Sequence, residues 1–480
     1  MKATKTLRVG VLAPVATLNP REAQDFVSAL AVLQVFETPF AQPRAAGVAP
    51  EPLLFEERLR PERPSNEAPV FSALVRDGIL FSDGTPLTAQ HVAEALGKAA
   101  TFHEQADVAA HGDRVYFRLK RPNARFDLVL TRRFCNVTLD SGGTLLGTGP
   151  FLPAPDATLE RMRLVRNPHY RKPVTLDEVV FQVYPPDAQG RPVALMAAIE
   201  TGEVDFTNVL SREDVLGLKN VRRWTEPGSS TAILYLNTER PSLQDVRIRR
   251  AIALSIDRRE IAKMFYATAA SFTATGLLPP ILLQGGGGHD GLGYSPAQAR
   301  DLLAASGVNP PERLRLLLVF GPRPYLPHPL KVGEHIAARL ANLGVEVEIV
   351  PTATIQEYQG KVRSGDYDLA LAGWIADTLD PVDFLEATLS SASVPVPERK
   401  TVVGANLSRW RDAETDAMLD WLRREPRDAL RTGLLRRIGD QAPLIPLMHG
   451  GAIFAHSPRL KNLFPSPLGK PSFAGLDVEG

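Results

Sequence analysis

The chain has 480 residues, 44% hydrophobic and 23% charged, too long for one compact core, so two or three domains are expected. Its 55 Lys and Arg stand against 54 Asp and Glu, a net charge of +1 that excludes nucleic acid as the main partner, since neutralising phosphates needs a basic face. A single cysteine, Cys135, excludes an intrachain disulfide and a cysteine metal site, and no apolar run approaches the ~18 residues of a membrane-spanning helix.

The first predicted strand is Leu7 to Leu12, followed by the turn Leu18-Asn19-Pro20 and an apolar helix from Ala29 to Phe36 that stops at Glu37-Thr38-Pro39. Residues 41–70 are rich in Pro, Ala, Glu and Arg with weak periodicity and read as an irregular connection. The stretch 76–92, RDGILFSDGTPLTAQHV, predicts a strand (Ile79, Leu80, Phe81), a turn at Ser82-Asp83-Gly84 and a helix that Pro86 delays and Thr88 caps. Residues 93–112 read as a short helix and loop, and Arg114 to Leu119 alternates as a strand. Cys135 lies in an apolar-flanked stretch, as a buried small hydrophobe does. Gly147-Thr148-Gly149-Pro150-Phe151 makes a backbone corner; no Lys-Ser/Thr follows, as a phosphate loop would require.

Further on, RNPHY (166–170) and LDEVVF (176–181) precede a helix from Pro192 to Glu200, with Gly202 as its end and a strand at Val204-Asp205-Phe206. Ala232 to Asn237 is an apolar strand. Asp245 caps the helix of VRIRRAIALSI, Asp257 a second helix carrying Ile261, Met264 and Phe265, and Ser295 a third that Gly307 closes. The basic run Arg247 to Arg250, with Arg258 and Arg259, reads as a solvated helix face. Gly285 to Gly288 read as a mobile surface loop. Strands at Leu314 to Phe320, Val345 to Val350 and Asp368 to Ala372 alternate with helices at Val332 to Leu343 and Ile355 to Arg363, which indicates a parallel sheet covered on both faces. Strand residues return at 443–464.

Chemistry-bearing motifs are sparse. The nine histidines are scattered, and His449 and His456 do not share a helix face as the pair in HExxH does. Neither GxSxG nor a GxGxxG after the first strand is present, so neither a nucleophile elbow nor a dinucleotide fold is indicated. Enzymatic activity is not expected, and no cofactor or metal is called for.

Taken together, the 76–92 stretch, GTGPF, RNPHY, GEVD (202–205), VRIRRAI (246–252) and Trp374-to-Pro381 resemble, in order, the extracytoplasmic solute-binding proteins of family 5, which serve ABC importers of dipeptides, oligopeptides and nickel. The resemblance implies an α/β, two-lobed periplasmic-binding-protein-like (type II) fold with mixed sheets and a reduced extra subdomain in the first lobe. Lobe I is expected at 1–240, with the subdomain at about 40–147, completed by 451–480; lobe II is expected at 241–450. The implied function is substrate binding for an ABC-type importer of peptides or related small solutes, by hinge closure and without chemistry. The implied partners are the ligand and permease subunits, with the protein a monomer.

In peptide-binding relatives the acid of the "W..D...P" motif pairs with the ligand's α-ammonium group, which points to Asp377 beside Gly373 and Trp374. Asp380 reads as a helix cap, and Trp374 as either a pocket wall or core. By the same resemblance the segment around Asp25, Phe26 and Val27 lends its backbone to the ligand as an added strand, and Tyr235 and Asn237 face the cleft. Arg323 and Arg363 are the only arginines suggested for a ligand carboxylate, and both read more naturally as surface residues. Met1 to Pro20 shows neither a cleavage site nor a lipoprotein cysteine. The location expected from the family is extracytoplasmic; a genuine start would instead make this a non-secreted sensor or carrier in the cytoplasm.

Overall fold

A computed structural model describes residues 4–23, 25–63, 69–187, 191–265, 272–283, 292–307, 309–321, 323–398, 405–464, 466 and 468–479. The glycine run 285–288 lies outside them. The chain forms two compact units, Met1–Thr225 with Ile453–Gly480, and Glu226–Ala452. It crosses between them within strand β12 (Arg222–Leu236) and strand β16 (Leu444–His456). The first crossing therefore falls at 225, earlier than the expected 240. The reason is that Ser230 to Leu236 is paired throughout with a strand of the second unit.

In the first unit, β1 (Thr6–Val11) runs parallel to β10 (Glu178–Val183), with Val9 opposite Phe181, and β8 (Phe151–Pro153) and β9 (Arg163–Arg166) extend that edge antiparallel. The short β11 (Phe206–Thr207) lies on the other side of β1. Asp205, fully buried, accepts two bonds from the Arg8 guanidinium at 2.8 Å and one from the Arg8 backbone, which fastens β11 to β1.

A separate antiparallel sheet joins β2 (Arg60–Arg63), β3 (Val70–Leu74), β5 (Arg114–Leu119) and β4 (Ala106–His111) in the order β2-β3-β5-β4, beside the small hairpin β6 (Leu139–Ser141) and β7 (Thr144–Leu146). Its core is aromatic: Phe55, Phe102 and Phe126 all contact Phe117, with centroids 5.6–6.3 Å apart. Two expectations change here. Residues 106–111 form a full strand against β5, concealed in the sequence by alanines, which carry weak strand preference. Ile79 to Phe81 form no strand; Leu80 makes a lone bridge to Pro86, while Ile79 and Phe81 are apolar because they fill this core. Cys135 is fully buried, its thiol donating to the Val129 carbonyl, and burial raises its pKa far above the ordinary thiol range.

The GTGPF corner presses on the end of helix Phe26–Val35. A side chain at Gly149 would place Cβ 2.5 Å from the Val35 carbonyl oxygen, which accepts the Gly149 N–H. Asn167, of RNPHY, donates to the Gly149 carbonyl. Buried Glu37 accepts from Thr148 and takes both arms of the Arg171 guanidinium at 2.7 and 2.9 Å. These landmarks of the sequence are one packing joint.

In the second unit the strand order is β14-β13-β15-β12-β16, with β13 (Arg313–Leu318) parallel to both β14 (Glu346–Val350) and β15 (Leu369–Ile375), and β12 antiparallel to β15. Helices Pro329–Ala341 and Ile355–Ser364 fall between the strands, as the alternation predicts. Helix Pro296–Ser306 ends at Gly307 with φ of 64°, the left-handed geometry of a glycine stop.

The basic run departs from its expected solvated face. Arg249 is only 4% exposed and Arg258 only 8%. Among the described residues no carboxylate pairs directly with the Arg249 guanidinium; it donates to the carbonyls of Leu243, Gln244 and Gln441, joining helix Val246–Ser255 to the end of helix Asp428–Gln441. Replacing it leaves buried acceptors bare. Arg249→Met is therefore expected to cost about 2–4 kcal/mol, read as a lower urea midpoint by tryptophan fluorescence. Arg259→Met, on the exposed side of its helix, should leave that midpoint in place.

Candidate functional site

In an open α/β sheet, ligands are met at the carboxyl ends of the strands. In the second unit that end is formed by β13 and β15, and the chain leaving β15 is Ala376-Asp377-Thr378-Leu379-Asp380. This turn is built from both sides. Ala376 is buried and its N–H donates to the Ser229 carbonyl at 2.8 Å. Thr378 is 1% exposed; its hydroxyl accepts from the Asp380 N–H and donates to Asp383. Asp380 caps helix Pro381–Leu389 by accepting from Val382 N–H, with Pro381 in the first turn. Between these fixed neighbours Asp377 is exposed. Gly373 and Trp374, just before it on β15, are half-buried.

Close packing holds this region. A Cβ on Gly373 would lie 2.2 Å from the Thr231 carbonyl oxygen and 2.7 Å from the Tyr325 ring; one on Gly450 would lie 2.4 Å from Ser230 Oγ and 2.9 Å from the Pro324 carbonyl. Glycine at both positions lets the 323–326 turn sit against the sheet. Beneath it Thr231 Oγ1 donates to the Leu277 carbonyl at 3.0 Å and also meets His449 Nδ1 at 3.0 Å. Since a hydroxyl carries one proton, Thr231 must accept from His449, which fixes the Nδ1–H tautomer of the ring. His449 was set aside as a metal ligand in the sequence; its place in this support could not be read there, because Thr231 is 218 residues away.

The remaining expected residues are dispersed. Tyr235 is fully buried on β12, and its hydroxyl has no hydrogen-bond partner among the described residues. Asn237 is 1% exposed and donates to the carbonyls of Gly365 and Tyr367 while accepting from Glu239 N–H. Their expected place on a ligand surface gives way to packing: the strand end they occupy is inside the second unit. In the first unit Asp25 accepts from Ser28 N–H and Phe26 begins the helix, so the backbone at 26 and 27 is helical and not extended for strand addition. The Phe26 ring is half-buried, with the Lys470 ammonium 5.6 Å from its centroid. Arg323 pairs its backbone with Leu326, and Arg363 sits half-buried in the last turn of its helix. Among the described residues no cluster of His, Cys, Asp and Glu could hold a metal.

Comparison with known proteins follows the same lines. Residues 64–395 match the family model "Bacterial extracellular solute-binding proteins, family 5 Middle". Heme-binding protein A of Haemophilus influenzae is 29% identical over 353 residues, 72% of this chain and 61% of that protein. Peptide transport periplasmic protein SapA of Salmonella typhimurium is 27% identical over 389 residues, 76% of this chain and 68% of that protein. The aligned part thus spans about two thirds or less of these curated relatives. The dipeptide binding protein of Pseudoalteromonas sp. SM9913, solved in complex with Met-Leu, superposes with a TM-score of 0.78 over 99% of this chain and 100% of that one, at 19% identity, a likeness of fold. The chain belongs to the bacterial extracellular solute-binding proteins of family 5. It is a binding protein, not an enzyme.

Burial holds the His449 pKa down to about 4 from 6.5. An unfolded chain therefore takes up a proton in that window that the folded chain refuses, and this contribution to stability, complete above pH 6.5, is lost as pH falls toward 4. His449→Gln should reduce the pH dependence of the unfolding free energy there, by up to about 1.4 kcal/mol per pH unit, with urea midpoints at several pH values as the readout. Equal slopes would mean that His449 titrates alike in both states.

Proposed function

We propose that the protein is the substrate-binding component of an ABC-type importer, that it works outside the cytoplasm, and that its ligand is a short peptide whose α-ammonium group pairs with Asp377. The observation that carries this reading is the exposed Asp377 carboxylate held between two buried, hydrogen-bonded neighbours at the end of β15. Fixed backbone on either side limits the entropy lost when a ligand orders this side chain, and a carboxylate favours a charged partner over a neutral one. Names among the relatives, a peptide transport periplasmic protein and dipeptide-binding proteins, support the same ligand class. Gly373 and Trp374 would flank the ammonium group. Two crossings of the chain between its compact units supply the two hinge strands that closure requires. Binding then stabilises the closed form only as far as the ligand prefers it. Permease subunits would be the downstream partners, with the binding protein acting as a monomer.

A thermal-shift panel of di- to pentapeptides tests the reading, since a ligand at about 100 times its Kd adds about 2.7 kcal/mol of stability. At least one peptide should raise the melting temperature, its N-acetylated form should not, and Asp377→Asn should weaken binding about 10- to 100-fold. Haem, taken from the name of one relative, belongs in the same panel. Stabilisation by haem and by no peptide, or equal binding of acetylated and free peptides, would overturn the assignment.

A further inference from the structure

Strand β15 outruns its neighbour on one edge. Toward β12 it is paired as far as Ile375, and the Ala376 N–H bond to the Ser229 carbonyl carries that pairing one step further. In an antiparallel ladder successive residues turn their backbone groups to opposite sides. Since Ala376 bonds toward β12, so do Trp374 and Ala372, while Ile375, Gly373 and Leu371 turn theirs to the other edge. On that edge β13 pairs as far as Leu318 with Leu371, and its last bond runs from the Val319 N–H to the Leu371 carbonyl. The N–H and C=O groups of Gly373 and Ile375 therefore have no backbone partner among the described residues. Unpaired backbone groups belong where water or another molecule can reach them, and both residues are only half-buried. This open edge runs from the place where β13 stops to Asp377, two residues past the end of β15.

Phe320 stands at the closed end of that edge. The Val319 bond keeps β13 in step with β15 up to Ala372, so the next residue, Phe320, leaves the sheet beside Gly373. Gly321 follows with φ of 69° and turns the chain away. Val319 is 5% exposed, but Phe320 is 36% exposed, an aromatic ring left in water at the end of the sheet where ligands are met. From Gly373 to Asp377 is four steps of chain, on the order of 13 Å when extended, so a peptide lying along this edge with its ammonium group at Asp377 reaches Phe320 within its first three residues. We propose that Phe320 is a specificity-determining residue of the second unit, an apolar wall that selects peptides with an apolar side chain at one of these three positions. Such a side chain and the ring leave water together, whereas a polar one of equal size gives up its own hydration with nothing in return.

Phe320 has this role only if the ligand is a peptide held at Asp377, the reading proposed above, and both residues lie in the second unit. Calorimetry compares wild type and Phe320→Ser with tri-alanine in which one residue at a time is replaced by Leu or by Asn. The two side chains are alike in size and branching, so each pair differs in polarity. In wild type one position should favour Leu over Asn by about tenfold or more, and in the variant that ratio should fall to about threefold or less while the ratios at the other two positions stay as they were. No preference at any position in wild type, a ratio that the variant leaves unchanged, or an equal fall at all three positions overturns the assignment. Phe320→Gln serves if the serine variant does not fold, and it should lower the same ratio. A second readout uses wild type alone: nuclear Overhauser contacts should join the leucine methyl groups of the favoured peptide to a phenylalanine ring whose signals vanish in Phe320→Leu, and their absence overturns the contact. Peptides bound without this preference overturn the role of Phe320 and keep the peptide reading; a panel in which no peptide binds overturns both.

Discussion

The ladder between β12 and β15 is the constraint on which the second unit turns. Seven residue pairs, from Ser230 with Ile375 to Leu236 with Leu369, set the register, and the Ala376 N–H bond to the Ser229 carbonyl extends it by one step. A slip of one residue would turn Trp374 and the buried alanines to opposite faces. It would also move the place where the chain leaves the sheet, and with it Asp377. The same ladder is why glycine stands at 373: the neighbouring strand's carbonyl and the Tyr325 ring occupy the space a side chain would take. Register, close packing and the place of one aspartate are therefore a single condition.

Much of the architecture is legible in the residues themselves. Caps at Asp245, Asp257 and Ser295, the glycine stop at Gly307, and the alternation from 313 to 375 all have local causes, so local reading finds them. What escapes is whatever depends on a distant partner. The strand Ala106–His111 exists because β5 pairs with it, and Ile79 and Phe81 are apolar for a core to which they contribute side chains but no strand. The crossing at 225 is hidden because a continuous strand gives no sign that its two halves belong to different bodies.

The site divides in the same way. Asp377 and the capping Asp380 were distinguishable because one sits before Pro381 and the other does not. Tyr235 and Asn237 were misplaced because an apolar strand ending in polar residues looks alike whether that end meets solvent or the turn at 365–367. Arginines are the hardest to place from sequence. Arg249, Arg171 and Arg21 are the same letter, and only the oxygens around them distinguish a guanidinium satisfied by carbonyls, one satisfied by a carboxylate and one held by the Ala95 carbonyl and Thr138 hydroxyl while its Nε has no acceptor among the described residues.

One quiet residue has a practical consequence. Cys135 is the sole thiol in 480 residues, fully enclosed, and unreactive because its thiolate is suppressed. A cysteine installed at any exposed position would then be the only nucleophilic sulfur a maleimide dye could find. Fluorophores could be attached at chosen points without first deleting a native thiol, and the chain is in that respect ready to be made into an optical reporter of its own cargo.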